Sequence, residues 1–143
     1  MVDAARIADV MGGTTILDHE ISTVSDLADA ISGGLPKAAL RNTVGRVFDS
    51  RSDVTSFVYR IVPEATYKRR TRLTPTESER TERLARVIAN AEYVWDNTED
   101  AREWLRKPHP ELGGQTPIET AMTELGARQV EDLLAKLFYG LSV

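Results

Sequence analysis

The chain has 143 residues, of which 41% are apolar, 28% charged and 6% aromatic, so it has room for one domain or two very small ones. This composition excludes disordered, collagen-like and low-complexity proteins, and the lack of cysteine excludes disulfides, thiolate nucleophiles and thiolate metal sites. No apolar run approaches the roughly 18 residues needed to span a bilayer, and the N-terminus does not resemble a signal peptide. We therefore expect a cytoplasmic protein with no membrane partner.

The net charge of −4 conceals an uneven distribution. Residues 1–36 carry one base and six acids, a balance of −5. Residues 37–72 carry nine bases and three acids, a balance of +6, and residues 73–143 carry eight bases and thirteen acids, again −5. The average argues mildly against a nucleic-acid partner, whereas the basic middle favours one.

The first half of the chain predicts a series of short helices. Residues 3–11 and 23–31 show the helical spacing of apolar side chains, and Pro36 begins a third helix that continues to about residue 48. Residues 14–21 are rich in β-branched side chains, which predicts a short strand or an extended arm.

Residues 53–72 have the proportions of a helix-turn-helix, with a tight turn at Val62-Pro63. In such a motif the second helix enters the major groove with its early residues at base edges, and nearby cations hold phosphates. Thr66 and Tyr67 are the candidates for polar or stacking contacts with bases. The full set of candidate DNA-binding residues is Thr66, Tyr67, Lys68, Arg69, Arg70 and Arg72. The alternative is a solvated basic helix, and the spacing alone does not decide between the two.

The second half predicts a compact bundle of four helices. Residues 74–77, Thr-Pro-Thr-Glu, have the form of a capping box, in which the first and last side chains each bond the other residue's backbone N–H. The helix that begins there carries one apolar stripe as far as Trp95. A second helix follows the break at residues 96–98 and stops near Lys107, because prolines come next.

Two further helices complete the predicted bundle. Residues 116–119, Thr-Pro-Ile-Glu, repeat the capping pattern and begin a brief helix that Gly126 ends. The last helix has one apolar face up to Phe138, and Gly140 is placed to stop it. The sequence then closes on residues 138–143, Phe-Tyr-Gly-Leu-Ser-Val, which are mostly apolar. Such a tail either packs on its own domain or is kept for a partner, and the residues alone leave both open.

No catalytic or metal-binding constellation is recognisable in the sequence. The two histidines, His19 and His109, have no ligand partner at helical spacing. The acids of residues 92–103 lie beside Arg102 and Arg106, as on a solvated helix face. The glycine pairs match neither the phosphate-loop nor the dinucleotide fingerprint. We expect a protein that is not an enzyme and that uses no cofactor and no metal.

From Arg102 onward, the sequence resembles a known family. The gapped pattern is Arg102-x-Trp104-Leu105-x-x-Pro108-x-Pro110-x-Leu112-Gly113-Gly114-x-Thr116-Pro117, then Gly126-x-x-x-Val130-x-x-Leu133-Leu134 and Tyr139-Gly140. It is similar to the toxin-binding domain of Xre-type antitoxins, the ParS/MbcA-like partners of RES-domain toxins. The resemblance is strong over residues 74–143 and continues more weakly upstream, through Leu35-Pro36 and the predicted helix-turn-helix.

This resemblance implies an all-α antitoxin of a type II toxin–antitoxin system. An Xre-like helix-turn-helix domain over residues 1–72 would bind operator DNA and repress its own operon. A small four-helix toxin-binding domain over residues 73–143 would hold a RES-domain toxin, whose family consumes NAD or transfers ADP-ribose from it, and would occlude the toxin's active site. Family members also form homodimers and higher-order toxin–antitoxin complexes, and we expect the same of this chain.

The resemblance assigns the apolar tail to the partner, because the antitoxin's C-terminal end lies at the toxin's active-site cleft in relatives. The toxin-binding candidates are Trp104, Leu105, Pro108, Leu112, Gly113, Gly114, Tyr139, Gly140, Leu141, Ser142 and Val143. A cleft that accepts an anionic dinucleotide should be electropositive, so the −5 balance of residues 73–143 complements it.

Two other functions compete with this one. The first is a stand-alone helix-turn-helix regulator whose second half dimerises or senses a small molecule, which predicts an apolar pocket there and no tight protein partner. The second is an adaptor without DNA activity. A RES-type reading frame beside the gene would favour the antitoxin, and its absence would favour the regulator.

Overall fold

The computed structural model describes residues 2–140, and they form ten α-helices and one 3₁₀ turn, with no β-strand in that range. The prediction of an all-α fold is confirmed. In chain order the helices are α1 (Ala4–Val10), α2 (Gly13–Leu17), α3 (Val24–Ser32), α4 (Lys37–Gly45), α5 (Arg51–Ile61), α6 (Glu64–Arg69), α7 (Pro75–Trp95), α8 (Thr98–Leu105), α9 (Pro117–Thr120) and α10 (Glu124–Phe138). The 3₁₀ turn, Pro110–Leu112, lies between α8 and α9.

The 21-residue helix α7 is the centre of the fold. It packs against α1, α3 and α4 of the first half and against α8 and α10 of the second half. Its apolar stripe, which includes Leu84, Val87 and Ile88, is buried, and each such side chain stabilises the fold by about 1.5–3 kcal/mol. The two halves therefore share one hydrophobic core, with α7 between them. The domain boundary between residues 72 and 73 stays a prediction.

Local sequence signals begin most of these helices as predicted. Thr74 and Glu77 form the reciprocal capping box at the start of α7. The side chain of Ser50 caps α5 by accepting from the Asp53 N–H. At the other end of the chain, Gly140 follows α10 with φ +68°, the left-handed conformation that stops a helix.

Residues 14–21 do not form the predicted strand or extended arm, because α2 occupies Gly13–Leu17. This single helical turn lies between two residues with positive φ, Gly12 (114°) and Asp18 (60°). Leu17 is buried in the core, and α2 packs against α1. Packing against a neighbouring helix has outweighed the weak strand preference of β-branched residues.

Gly126 does not end α9 as predicted. Helix α9 ends at Thr120, and Gly126 lies in the first turn of α10, where its N–H donates to the capping side chain of Thr123. A Cβ atom at position 126 would lie 1.8 Å from the carbonyl oxygen of Thr120. Only glycine allows the start of α10 to approach the end of α9 this closely.

Across residues 2–140, the helices are all too short or too polar to cross a lipid bilayer.

Candidate nucleic-acid and partner-binding surfaces

Helices α5 and α6 have the arrangement predicted for a helix-turn-helix. Val62 and Pro63 form the connection, in which Val62 is buried and extended and its N–H still donates to Val58 O at 3.0 Å. The inner face of α5, including Phe57 and Ile61, is buried in the core. Helix α6 is therefore held at the surface of the first half by a short, rigid turn.

Tyr67 does not present its side chain to a base, contrary to the sequence prediction. It lies on the inner face of α6 and is only 8% exposed. Its hydroxyl donates to Lys37 O at 3.2 Å, and the Lys37 ammonium lies 4.9 Å from the centre of its ring. Lys37 Nζ donates in return to Tyr67 O at 2.9 Å. Tyr67 thus joins α6 to the start of α4.

Two of the predicted phosphate-binding cations also form hydrogen bonds within the chain. Arg70 donates to Glu77 Oε1 at 2.5 Å, which fixes the end of α6 to the start of α7. Arg72 donates to Gly34 O at 2.8 Å and so holds the segment that precedes α4. Both residues have positioning roles that the sequence did not reveal.

Lys68 and Arg69 remain as exposed cations on α6, with Thr66 half-buried beside them. Lys68 donates to Glu64 Oε1 at 2.7 Å one turn earlier, and this hydrogen bond raises the pKa of Lys68. Arg69 has no carboxylate within salt-bridge distance among residues 2–140. The outward face of α6 is therefore polar and cationic, as a groove-entering helix requires.

The predicted toxin-binding residues of the second half divide into buried and exposed sets. Leu105 and Leu112 are buried in the core, so they cannot contact a partner directly and instead support the surface from beneath. Pro108, Gly113 and Gly114 are exposed. The two glycines adopt positive φ, and the loop closes through a hydrogen bond from His109 N to Gln115 O at 3.0 Å.

Trp104 is half-buried and belongs to a group of aromatic rings on α7, α8 and the following loop. Its ring centre lies 6.5 Å from that of Trp95 and 6.4 Å from that of His109. His109 also caps the 3₁₀ turn by accepting the Glu111 N–H at 3.1 Å. Trp95, predicted within the buried stripe of α7, is 38% exposed, because the end of α7 is not fully covered.

A second group of rings lies where α7 and α10 end. Tyr139 is 72% exposed and Phe138 is 44% exposed, and their ring centres lie 5.1 Å apart. Phe138 also meets Tyr93 at 5.4 Å, and Tyr93 lies beneath the Arg6 guanidinium at 5.7 Å. Tyr93 and Phe138 were not among the predicted site residues. The sequence feature that could have indicated them is that each is an aromatic residue near the end of a helix, α7 and α10 respectively. We call Tyr93, Phe138 and Tyr139 the terminal aromatic cluster.

Three of the predicted toxin-binding residues, Leu141, Ser142 and Val143, lie outside the described residues.

Ion pairs connect the second half to the loop between α4 and α5. Arg102 of α8 donates to Asp49 and, through Nε, to Arg46 O at 3.1 Å. Arg106 donates to the other oxygen of Asp49 at 3.2 Å. Arg46 itself binds Glu92 of α7 through two hydrogen bonds of 2.9 and 3.1 Å. Arg102 of α8 and Arg106, which directly follows it, were predicted on a solvated face but instead connect α8 to the first half.

Known proteins match this chain in two adjacent segments. Residues 26–86 match the sequence model of the antitoxin Xre-like helix-turn-helix domain, and residues 90–140 match that of the antitoxin Xre/MbcA/ParS C-terminal toxin-binding domain. The protein named Antitoxin Xre in Pseudomonas putida is 37% identical over 84 residues, which cover 56% of this chain. The matched segment spans about half (53%) of that relative. Antitoxin Xre of Yersinia enterocolitica is 29% identical over 136 residues, 90% of this chain and 82% of its own length.

The two matches follow one another in the order in which the structure presents the helix-turn-helix and the helical bundle. The chain belongs to the Xre-type antitoxins, with an Xre-like helix-turn-helix domain followed by a C-terminal domain of the toxin-binding family.

Proposed function

We propose that this antitoxin binds a RES-domain toxin through the C-terminal half and obstructs the toxin's NAD-binding active site with its C-terminal end. The observation that carries the proposal is the terminal aromatic cluster, which is exposed at the position from which residues 141–143 continue. Tyrosine and tryptophan are enriched at protein interfaces because they bury large areas at a low cost in conformational entropy. The loop with Gly113 and Gly114 supplies exposed backbone in the same half.

The charge of the C-terminal half supports the same partner. Residues 73–143 carry a balance of −5, and a toxin cleft that accepts an anionic dinucleotide is electropositive. Complementary charge speeds association and helps to exclude wrong partners.

Co-expression with the RES-type toxin tests this proposal. A variant that ends at Gly140 should fail to protect growth, and cellular NAD should fall, while its melting temperature stays within about 2 °C of the full chain because α10 is complete. An inactive toxin variant controls for nonspecific toxicity. Full protection by the shortened chain, with normal NAD, would contradict the occlusion mechanism.

We further propose that α5 and α6 bind operator DNA of the antitoxin's own operon, as a homodimer or within a larger complex with the toxin. The outward cations Lys68 and Arg69 support this function, because phosphate contacts supply much of the affinity for DNA. Two copies would place two α6 helices on a pseudo-palindromic site, which is how dimeric helix-turn-helix proteins read DNA.

The stand-alone regulator has less support. It requires an apolar pocket in the second half. A mainly apolar groove of about 640 Å³, with Ile7, Val24 and Leu27 in its lining, lies between α1 and α3 of the first half. The pocket beside Leu112 and Leu133 in the second half is smaller, about 310 Å³, and its lining includes charged side chains. A tight complex with a RES-type protein encoded beside the gene would rule out the stand-alone function.

A further inference from the structure

Cations without a carboxylate partner lie close together in the helix-turn-helix region. Among residues 2–140, five of the nine bases between positions 37 and 72 have no carboxylate within salt-bridge distance. They are Lys37, Arg41, Arg51, Arg69 and Arg72. Four of the nine bases outside this region, Arg6, Arg80, Lys107 and Lys136, also have none, but they are spread over the rest of the described chain. Positive charge that no carboxylate neutralises is therefore concentrated around α4, α5 and α6.

Arg41 lies where α4 meets α5. Its guanidinium donates one hydrogen bond, to Thr55 Oγ1 at 3.1 Å, and the side chain is half-buried. A neutral hydroxyl accepts this bond without cancelling the charge, so the remaining guanidinium N–H groups can bind an anion. A planar guanidinium that presents several donors suits a phosphate group.

Tyr59 extends the surface formed by Arg41 and Thr55 towards α6. Thr55 and Tyr59 are one turn apart on α5 and so share one of its faces. The half-buried ring of Tyr59 packs against the Tyr67 ring in an edge-to-face arrangement, with centres 6.1 Å apart. Arg41, Thr55 and Tyr59 thus form a strip across α4 and α5 that ends at the helix expected to enter the groove. We call these three residues the α4–α5 strip.

We propose that the α4–α5 strip binds the DNA backbone beside the groove that α6 enters, with the Arg41 guanidinium and the Tyr59 hydroxyl donating to phosphate oxygens. The first helix of a helix-turn-helix crosses the backbone, which is the position that α5 has here. Contacts of this type fix the register of the protein on the duplex and carry little sequence information. This inference rests on the DNA binding proposed above for α5 and α6.

Two conservative variants separate the phosphate contacts from folding. Arg41→Gln removes the charge and keeps an amide donor for Thr55. Tyr59→Phe removes the hydroxyl and keeps the ring beside Tyr67. Arg128→Gln is the matched control, because it makes the same change in net charge at an exposed position of α10.

Fluorescence anisotropy of labelled DNA measures the affinity of the full chain for two duplexes of about 30 base pairs. One duplex has the sequence upstream of the protein's own reading frame, and the other has the same bases in scrambled order. Each titration is repeated at salt concentrations of about 50–200 mM. Arg41→Gln should weaken binding to both duplexes about five-fold and lower the slope of log affinity against log salt by about 0.9, the value for one phosphate contact. Tyr59→Phe should weaken both about two- to three-fold and leave the slope unchanged, since it removes no charge. Arg128→Gln should change neither quantity.

The outcomes distinguish this inference from the one on which it rests. If Lys68→Ala with Arg69→Ala weakens binding but Arg41→Gln behaves like Arg128→Gln, then α6 binds DNA and the strip does not. If the unaltered chain binds neither duplex at the lowest salt, the proposed DNA binding is wrong and the role of the strip is wrong with it.

Discussion

Arg60 and Glu119 form a bidentate ion pair in which two guanidinium nitrogens each lie 2.8 Å from a carboxylate oxygen. The pair joins α5, the first helix of the helix-turn-helix, to α9 of the toxin-binding half. Glu119 was predicted to complete a capping box with Thr116, yet only the Thr116 side chain caps the Glu119 N–H, at 3.2 Å, and the Glu119 carboxylate reaches Arg60 instead. The two functional halves are therefore fixed to one another by a specific contact as well as by their shared core.

The Arg60–Glu119 pair should make a small part of the stability dependent on pH. The hydrogen bond from Arg60 lowers the pKa of Glu119 below its ordinary value of 4.5. A lowered pKa in the folded state means that the contribution is complete above pH 4.5 and is lost as the pH falls through the lowered value. Both side chains are partly exposed, so Glu119→Gln should cost only about 0.5 kcal/mol at neutral pH.

Thermal unfolding from pH 7 to pH 3 measures this effect. The difference between the unaltered chain and Glu119→Gln should shrink as the pH falls below 4.5. Glu111→Gln, at an exposed carboxylate outside the ion pairs described, is the matched control. A difference that stayed constant with pH would show that the charge of Glu119 is not responsible.

Gly126→Ala should destabilise the fold, because the added Cβ would meet Thr120 O at 1.8 Å and force α9 and α10 apart. We expect a loss of about 3 kcal/mol, or roughly 10 °C in the melting temperature. Gly45 is a helical glycine of α4 with nothing within 4 Å of its Cβ position. Gly45→Ala should stabilise the chain by about 0.5–1 kcal/mol. Equal effects of the two substitutions would be inconsistent with a close approach at Gly126.

Tyr67→Phe should affect folding and leave DNA binding intact. It removes the hydrogen bond from the tyrosine hydroxyl to Lys37 O, which costs about 1 kcal/mol, and leaves the buried ring in place. We expect the melting temperature to fall by about 3 °C and the affinity for DNA to change less than about two-fold. A ten-fold loss of affinity at an unchanged melting temperature would mean that the hydroxyl contacts DNA after all.

Lys68→Ala combined with Arg69→Ala should lower the affinity for DNA of every sequence. Both side chains are exposed on α6, so the fold should lose little stability. Two lost phosphate contacts should reduce the salt slope by about 1.8 in a titration with labelled duplex. An unchanged slope would exclude the outward face of α6 from the DNA-binding surface.

Tyr139→Ala should weaken toxin binding without weakening the fold. The side chain is 72% exposed and its only described aromatic contact is with Phe138, so we expect the melting temperature to change by less than about 2 °C. Removal of a tyrosine that anchors an interface costs about 2 kcal/mol, so we expect a roughly thirty-fold loss of affinity, which calorimetry with an inactive toxin would measure. Leu125→Ala is the control, because Leu125 is also exposed but lies at the opposite end of α10. Equal losses for both would contradict a binding surface centred on the terminal aromatic cluster.

The sequence predicted those features that depend on a few adjacent residues. The capping box at Thr74 needs only Glu77 three positions later, and the stop after α10 needs only a glycine. Tyr67 could not be placed in the same way, because a six-residue helix has too few positions to define an inner face, and α4 determines which side is covered. Trp95 ends a long apolar stripe, and whether it is covered depends on neighbours that the pattern does not locate.

The two glycines that were predicted as helix stops show the same distinction. Gly140 has positive φ and ends α10 as predicted, whereas Gly126 is helical and permits a close approach between two helices. Both are glycines beside an apolar helical pattern, and the difference arises from the backbone of Thr120, which packs on one of them and not on the other.

Because α7 spans the boundary between the two family matches, it limits where recombination can exchange the toxin-binding half of this chain for that of another antitoxin. The short gap between the two family matches, residues 87–89, falls in the middle of this helix, and Val87, Ile88 and Ala89 are all buried. A crossover placed there would join half-helices from different parents within the core, where mismatched side-chain volumes are costly. A chimera that exchanges toxin-binding halves should therefore take all of Pro75–Trp95 from one parent. The side chains of α1, α3 and α4 from the other parent must then pack against this helix without clashes or cavities.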